Sequence, residues 1–148
     1  GLKLSESKGL AKALSENGAA YLSVMGGTYE SFFLPGGVQK SRKPGYMVSL
    51  AHAIKKEVRV PVITAGRIST PARAEAILRD NKADFIGLAR MLWVDPQWPQ
   101  KARQGKDRSI IKCSPKCNAC MELVMQGKPA FCPQWAKEKR AEFRRLFR

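Results

Sequence analysis

The sequence predicts an α/β fold with a parallel sheet. Short apolar runs alternate with segments whose apolar residues recur at helical spacing, and the runs end at Gly or at Gly-Arg. Such alternation predicts parallel strands joined by right-handed helical crossovers. The 148 residues fall well short of the roughly 250 residues of a complete eight-stranded α/β barrel, so a whole barrel is excluded.

The first predicted pair is a helix over residues 6–16 and a strand over residues 20–25. Ser5 is a candidate N-cap of this helix, and Asn17-Gly18 is a typical helix end. The strand is a continuous apolar run that stops at Gly26-Gly27, as expected for a strand buried on both faces.

The second pair follows a Pro- and Gly-rich segment, residues 28–46, which we predict to be a loop. A helix is predicted over residues 47–57, with Lys55 and Lys56 in its last turn. The apolar run 60–65 is the next strand, and Pro61 lies near its start, where proline is tolerated.

The third pair begins at Ser69-Thr70-Pro71, which places a hydroxyl cap before a proline at the first helical position. The helix is predicted to close at Asn81, and the run 83–88 is the third strand. Asp95-Pro96 is predicted to start a further helix that continues to about Gln104.

The charge is concentrated at the C-terminal end. The net charge of +15 divides into +6 over residues 1–100 (14 basic, 8 acidic) and +9 over residues 101–148 (13 basic, 4 acidic). A basic segment of this kind favours contact with nucleic acid, an anionic surface or an acidic protein, or it is a solvated face. No apolar run is long enough to span a membrane.

Targeting signals are not evident in the sequence. The chain opens on Gly1, and its first residues do not resemble a secretory signal, so we expect a cytoplasmic protein that is a processed product or a fragment. Clustered cysteines in such a chain favour ligand or redox chemistry over a disulfide framework.

The ends of the second and third predicted strands carry residues suited to binding phosphate. Gly66 and Arg67 follow one strand, while Gly87, Ala89 and Arg90 lie at the end of the next. Small residues let backbone N–H groups approach an anion, and arginine offers a bidentate fork. Because function gathers at the carboxyl ends of parallel strands, these residues predict a phosphate site; surface arginines are the alternative interpretation.

The four cysteines have the spacing C-x3-C-x2-C-x11-C, formed by Cys113, Cys117, Cys120 and Cys132. Three thiolates within eight residues can wrap one corner of an iron–sulfur cluster, and a distant fourth completes the set. Zinc sites more often show two separated C-x2-C pairs. An iron–sulfur cluster, zinc and unliganded thiols therefore all stay open.

Several of these segments together resemble the old yellow enzyme family of flavin oxidoreductases. The resemblance rests on Val60–Ile68, on Pro71–Glu75, on Ala83–Arg90 and on Asp95–Pro99. The cysteine segment is similar to the branch of that family with bacterial 2,4-dienoyl-CoA reductase and trimethylamine dehydrogenase. That branch spaces its cluster ligands C-x2-C-x3-C-x11-C, so Cys117 is displaced by one position here.

The resemblance implies roles for individual residues. Gly66, Arg67, Ala89 and Arg90 match positions that line the FMN phosphate, and the cysteines match the ligands of a [4Fe–4S] cluster. Tyr29 lies where dienoyl-CoA reductases carry a histidine that assists protonation of the substrate. A tyrosine hydroxyl can also donate a proton, although a packing role for this ring is the alternative.

The resemblance also implies the architecture. It predicts the second half of a (β/α)8 TIM barrel over residues 1–108, an irregular four-cysteine iron–sulfur loop over 109–135 and a basic C-terminal helix over 136–148. NAD(P)H is the implied electron donor and a small molecule with an activated alkene, enoyl-CoA-like or an enone, the substrate. FAD would belong to domains outside this chain. The chain alone is expected to be inactive until a missing barrel half or a partner chain completes it.

A function of another class is kept beside this one. The basic segment and the cysteines together also suit a non-catalytic zinc- or cluster-binding module that contacts nucleic acid or a protein. Aromatic residues for base stacking are few in that segment, which weakens the nucleic-acid hypothesis.

Overall fold

The computed structural model describes residues 2–28, 43–114 and 117–147. The chain divides into two compact units, Gly1–Leu88 and Ala89–Arg148, called the N-terminal and C-terminal units below. The N-terminal unit contains α1 (Leu4–Glu16), β1 (Leu22–Ser23), α2 (Val48–Lys55), β2 (Val62–Thr64), α3 (Pro71–Arg79) and β3 (Phe85–Ile86). The C-terminal unit contains α4 (Arg90–Val94), α5 (Trp98–Arg103), a short 3-10 helix (Asp107–Ser109), α6 (Ala119–Met125) and α7 (Lys137–Leu146).

The strands form a three-stranded parallel sheet in the order β1-β2-β3. Leu22 pairs with Val62, and Ile63 pairs with Phe85. The order of helices and parallel strands confirms the predicted α/β class. Each strand is shorter than its apolar run, because only the residues that pair with a neighbouring strand count as ladder residues.

The core of the N-terminal unit lies between the sheet and helices α1 and α2. Ala11 of α1, Ala51 and Ile54 of α2, and Val62 of β2 form one buried cluster. Leu22, Val24 and Val58 pack against its edge. These buried residues fall at the apolar positions that predicted the helices and strands, so the hydrophobic pattern explains why the segments pack in this order.

A half-buried ion pair connects α2 to the sheet. The Lys55 Nζ atom donates to Asp84 Oδ1 at 2.6 Å, and the Val62 backbone N–H donates to Asp84 Oδ2 at 2.8 Å. The Asp84 backbone N–H in turn donates to the Val62 carbonyl at 2.8 Å. One carboxylate thereby fastens α2 and two neighbouring strands together.

The first helix begins earlier than predicted. Lys3, not Ser5, is the N-cap, because Glu6 in the first turn accepts a hydrogen bond from the Lys3 backbone N–H at 2.6 Å. Acidic residues in the first turn are stabilising there through the helix dipole.

The predicted helix from Asp95 is also different in the structure. The helix α5 covers most of the predicted range, but it begins at Trp98, and Asp95 is instead the C-cap of the preceding helix α4. The cause is the Asp95 carboxylate, which accepts from the Gln97 backbone N–H at 3.2 Å and turns the chain before α5 begins at Trp98. Within the described residues, no helix is long and apolar enough to cross a membrane.

The aromatic residues of the C-terminal unit pack around α7. The Phe143 ring lies 5.7 Å from that of Trp135 and 4.6 Å from that of Phe147, measured between centroids. Trp135 also packs on Trp93 of α4 at 5.4 Å. The predicted basic helix is therefore fastened through its aromatic stripe, while its Lys and Arg residues are mostly solvent-facing.

Candidate functional site

The carboxyl end of β2 has an unusual backbone. Gly66 has φ +99° and Arg67 has φ +56°, so two successive residues adopt left-handed conformations. Few residues with a side chain adopt a positive φ, and those that do are enriched at binding sites. This turn directs the chain out of the sheet immediately before α3 begins.

Gly66 lies against Tyr46 and Met47, which immediately precede α2. A Cβ atom on Gly66 would come within 2.9 Å of Met47 Cγ and 3.0 Å of Tyr46 Cε1. The Gly45 backbone N–H donates to the Gly66 carbonyl at 2.7 Å. Both the backbone conformation and this close approach require glycine here.

The carboxyl end of β3 lies beside the same edge of the sheet. The Gly87 backbone N–H donates to the Thr64 carbonyl at 2.7 Å, and a Cβ on Gly87 would come within 3.1 Å of the Ala65 Cβ. Gly66, Arg67 and Gly87 therefore end two neighbouring strands at one edge. The glycines permit close packing at this edge, and the Arg67 guanidinium is the group there that can bind an anion.

The helix that follows Arg67 is held at its first turn. Thr70 is the N-cap of α3, and its Oγ1 accepts from the Arg73 backbone N–H at 3.3 Å. The Arg73 guanidinium donates to the Pro44 carbonyl at 2.9 Å. These bonds fix the segment between β2 and α3 on which Arg67 lies.

Ala89 and Arg90 belong to the C-terminal unit. Ala89 is the N-cap of α4, and Arg90 is its first residue. Tyr29, the predicted proton donor, lies outside the described residues.

The four cysteines lie in the C-terminal unit and are free thiols. Cys132 is buried, whereas Cys113, Cys117 and Cys120 are half-buried. Cys120 is the second residue of α6, so the predicted irregular loop contains a helix of two turns. The helix ends at Gln126, where the Gly127 N–H donates to the Val124 carbonyl at 2.9 Å.

The Cys113 thiol is affected by burial and by nearby charges. Burial raises the pKa of the Cys113 thiol, Arg90 acts in the opposite direction, and the other three cysteines raise the pKa further. Charges affect one another in this way only over short distances. In the described parts of the chain, no three His, Cys, Asp or Glu side chains converge closely enough to hold a metal ion.

The donor set suits a thiolate-bound group. All four side chains are free thiols, and the Arg90 guanidinium favours the thiolate form of Cys113. Soft thiolate ligands select iron–sulfur clusters, zinc and copper(I) over hard cations such as magnesium. The donors are therefore of the right chemical type for such a group.

The sequence did not reveal Asp95 as a residue that supports the chain before Cys113. Asp95 is 3% exposed, and its carboxylate accepts from the Lys101 ammonium at 2.7 Å and from the Ile111 backbone N–H at 2.9 Å. The Asp-Pro dipeptide indicated a helix start, whereas the contact to Ile111 depends on the tertiary fold. A buried aspartate between two helices carries no periodic signal that would have revealed it.

The chain is similar to known oxidoreductases both in sequence and in structure. Residues 35–109 match the NADH:flavin oxidoreductase / NADH oxidase family. The chain is 44% identical over 119 residues to an NADH oxidase of Thermoanaerobacter brockii, covering 80% of this chain and 18% of the relative. It is 38% identical over 127 residues to a metal reductase of Desulforamulus reducens, covering 86% of this chain and 19% of the relative.

Two solved structures of oxidoreductases are similar in fold to this chain. The histamine dehydrogenase from Rhizobium sp. 4-9 superposes with a TM-score of 0.75 at 26% identity, covering 88% of this chain and 18% of that one. The 6-hydroxypseudooxynicotine amine oxidase from Pseudomonas geniculata N1 also has a TM-score of 0.75 at 26% identity, covering 87% of this chain and 18% of that one. The chain spans about a fifth of the length of the curated relatives it matches first.

Proposed function

The chain belongs to the NADH:flavin oxidoreductase / NADH oxidase family, and on that premise we propose that it is the part of a flavin-dependent oxidoreductase that holds the FMN phosphate and a [4Fe–4S] cluster. The observation that carries this proposal is the left-handed Gly66-Arg67 turn at the end of β2, inside the segment that matches the family. The domain boundaries at residues 108 and 135 are part of the proposal.

The phosphate end of FMN would be held by the two strand ends. The Arg67 guanidinium can donate two parallel hydrogen bonds to the phosphate. Gly66 and Gly87 let the chain pack closely against Met47, Tyr46 and Ala65, and this packing shapes the two strand ends from which Arg67 projects. Ala89 and Arg90, at the start of α4, are proposed as phosphate-binding residues on the resemblance to the family. The strain at Arg67 is consistent with a residue whose side-chain direction matters more than its backbone preference.

Cys113, Cys117, Cys120 and Cys132 would hold the cluster. The support is their spacing and the absence of any disulfide among these four thiols. Arg90 would offset part of the negative charge of a thiolate-bound cluster, since its charge already favours the thiolate of Cys113.

The reaction would be reduction of an activated alkene, enoyl-CoA-like or an enone, by NAD(P)H. A hydride and a proton add across the C=C bond while NAD(P)H is oxidised to NAD(P)⁺, and Tyr29 would supply the proton. Bound FMN would supply hydride transfer and the cluster one-electron transfer. The remaining strands of the barrel, and any FAD, would belong to polypeptide beyond these residues, and the enzyme would act in the cytoplasm.

The competing hypothesis of a basic zinc-binding module has less support from the structure. The Phe143 and Phe147 rings that could stack on bases pack within the C-terminal unit instead. The Lys139 ammonium lies 4.1 Å from the centre of the Trp135 ring, so part of the basic charge of α7 is also engaged. The hypothesis nevertheless makes a distinct prediction, stoichiometric zinc without sulfide.

The phosphate site is tested by comparing FMN with riboflavin, which lacks the phosphate. We expect the protein to bind FMN more tightly than riboflavin, measured by flavin fluorescence or calorimetry. Arg67→Met should reduce that preference by about tenfold or more, because a hydrogen bond to a charged group contributes about 1.5–3 kcal/mol.

Arg79→Met is the matched control. Arg79 lies at the end of α3, and its side chain is 72% exposed, so its loss should leave the preference unchanged. Equal affinity of the unaltered protein for FMN and riboflavin, or equal effects of the two substitutions, would contradict the proposed phosphate site.

A further inference from the structure

The Asp95 carboxylate accepts three hydrogen bonds within the C-terminal unit. Its Oδ2 accepts from Lys101 Nζ at 2.7 Å and from the Ile111 backbone N–H at 2.9 Å, while Oδ1 accepts from the Gln97 backbone N–H at 3.2 Å. The side chain is 4% exposed. A buried carboxylate requires such partners, so all three bonds matter for its stability.

Lys101 extends this arrangement along the chain. Its ammonium also donates to the Ser109 carbonyl at 3.1 Å, and Ile110 between the two bonded residues is buried. The Asp95–Lys101 pair therefore bonds the backbone of residues 109 and 111, on either side of the buried Ile110. Cys113 follows only two residues later.

The other end of the cysteine segment is fastened to the same region. The Gln134 Nε2 atom donates to the Lys112 carbonyl at 3.1 Å, which joins the chain after Cys132 to the chain before Cys113. The Trp135 Nε1 atom donates to the Trp93 carbonyl of α4 at 2.7 Å. The first and fourth cysteines are thus attached to one frame, while Cys117 and Cys120 lie on the chain between them.

We propose that Asp95 and Lys101 are positioning residues that hold the Cys113 end of the four-cysteine site in place, an inference that rests on the proposed cluster. The pair does not touch a thiol. It fixes the backbone from which the first thiol projects, and the Gln134 and Trp135 bonds fix the backbone beside the fourth. Groups that hydrogen-bond a ligand directly change metal affinity by about 10–100-fold when they are altered, and we expect the lower end of that range for a pair that acts through the backbone.

A purely structural role for the ion pair is the alternative, and the chain offers a matched control for it. Asp84 in the N-terminal unit also accepts one lysine ammonium, from Lys55 at 2.6 Å, and one backbone N–H, from Val62 at 2.8 Å. Its unit contains no cysteine. Asp84→Asn therefore measures the loss of a similarly bonded ion pair, more exposed at 33% against 4% for the carboxylate side chains, without an effect on the position of a thiol.

The test substitution is Asp95→Asn. An amide has one acceptor oxygen where the carboxylate has two, so at least one of the donors from Lys101, Ile111 and Gln97 loses its partner. The double variant Asp95→Asn/Lys101→Gln removes the buried charge of both partners, which can be nearly neutral for stability, and guards against a simple failure to fold.

The variants would be reconstituted anaerobically with iron and sulfide, and cluster loss to a chelator would be timed by absorbance. We expect Asp95→Asn and the double variant to lose the cluster at least about tenfold faster than the unaltered protein. Asp84→Asn should lose it at the unaltered rate despite a lowered unfolding midpoint. Equal rates for Asp95→Asn and Asp84→Asn would overturn the inference.

A second measurement does not need the cluster. In the iron-free protein, Asp95→Asn should increase hydrogen exchange at the Ile111 amide and alkylation of Cys113, both followed by mass spectrometry, while Asp84→Asn leaves them unchanged. If the unaltered protein takes up no iron and sulfide, the proposed cluster is wrong, and this arm decides alone whether Asp95 holds the segment. Unchanged exchange and alkylation in Asp95→Asn would refute the positioning role.

Discussion

Replacing Gly66 by alanine perturbs the backbone and the packing of the proposed phosphate site together. Gly66 has φ +99°, a conformation that L residues rarely adopt. The added methyl group would lie 2.9 Å from Met47 Cγ and 3.0 Å from Tyr46 Cε1, both inside ordinary van der Waals contact. Met47 is only 3% exposed, so the residue has little free space into which it can move.

The chain contains a control that separates the two effects. Gly18 has φ +91°, and a Cβ there would meet nothing within 4 Å. Gly18→Ala should therefore cost only the backbone strain, about 1–2 kcal/mol. Gly66→Ala should cost that strain plus about 1–3 kcal/mol for overpacking, so the two variants should differ in unfolding free energy by about 1–3 kcal/mol.

Urea unfolding followed by circular dichroism measures this difference directly, and FMN binding to the same variants reports on the site. We expect Gly66→Ala to be the less stable variant and to bind FMN more weakly, and Gly18→Ala to bind FMN normally. Equal stabilities of the two variants would refute the close approach of Tyr46 and Met47. Normal FMN binding by a folded Gly66→Ala protein would instead refute the role of this turn in the site.

The remaining predictions concern stability. The hydrogen bond from Lys55 and that from the Val62 amide lower the pKa of Asp84 against the effect of burial. The stability that Asp84 contributes is therefore complete above the ordinary carboxyl pKa and is lost as the pH falls through the lowered pKa of the folded protein. The urea midpoint of Asp84→Asn should depend less on pH below about 4 than that of the unaltered protein. An unchanged acid dependence would contradict this. Ile54→Ala should cost about 2–5 kcal/mol in urea unfolding, because Ile54 is 4% exposed. Leu10→Ala, on the 49%-exposed Leu10, should cost much less, and equal costs would place the core elsewhere.

Much of the N-terminal unit was predictable from hydrophobic periodicity. The three parallel strands and their helices occur in the predicted order, and apolar residues such as Ala51 and Val62 become buried. Other apolar residues of the predicted elements, Leu10, Met25 and Phe85, are exposed, so the predicted burial of the first strand on both faces is wrong. The cap of α3 was predictable as well, since Thr70 and Pro71 act through local bonds.

Prediction was weaker where tertiary contacts decide the local structure. Asp95 ends α4, where its carboxylate accepts from the nearby Gln97 backbone N–H and also from Ile111, which is sixteen residues away. The helix α6 was not predicted, because the cysteine spacing favoured an irregular loop there, although Leu123 and Met125 are good helix formers.

For the candidate site, the sequence indicated which residue types end the strands but not their conformation. Gly-Arg after an apolar run predicted small and basic residues at the edge of the sheet. The left-handed conformation of Arg67 and the closeness of Gly66 to the Tyr46 ring depend on the packing of the segment before α2. The predicted domain boundaries at residues 108 and 135 enclose the four cysteines, and they stay a prediction.

The most direct test of the proposed function is the metal and sulfide content of the protein after anaerobic reconstitution with iron, sulfide and zinc all present. A [4Fe–4S] site held by four thiolates predicts about four iron and four acid-labile sulfide per chain, with a broad charge-transfer absorbance that is lost when Cys132 is replaced by serine. About one zinc per chain without sulfide would contradict the cluster and favour the zinc-binding module.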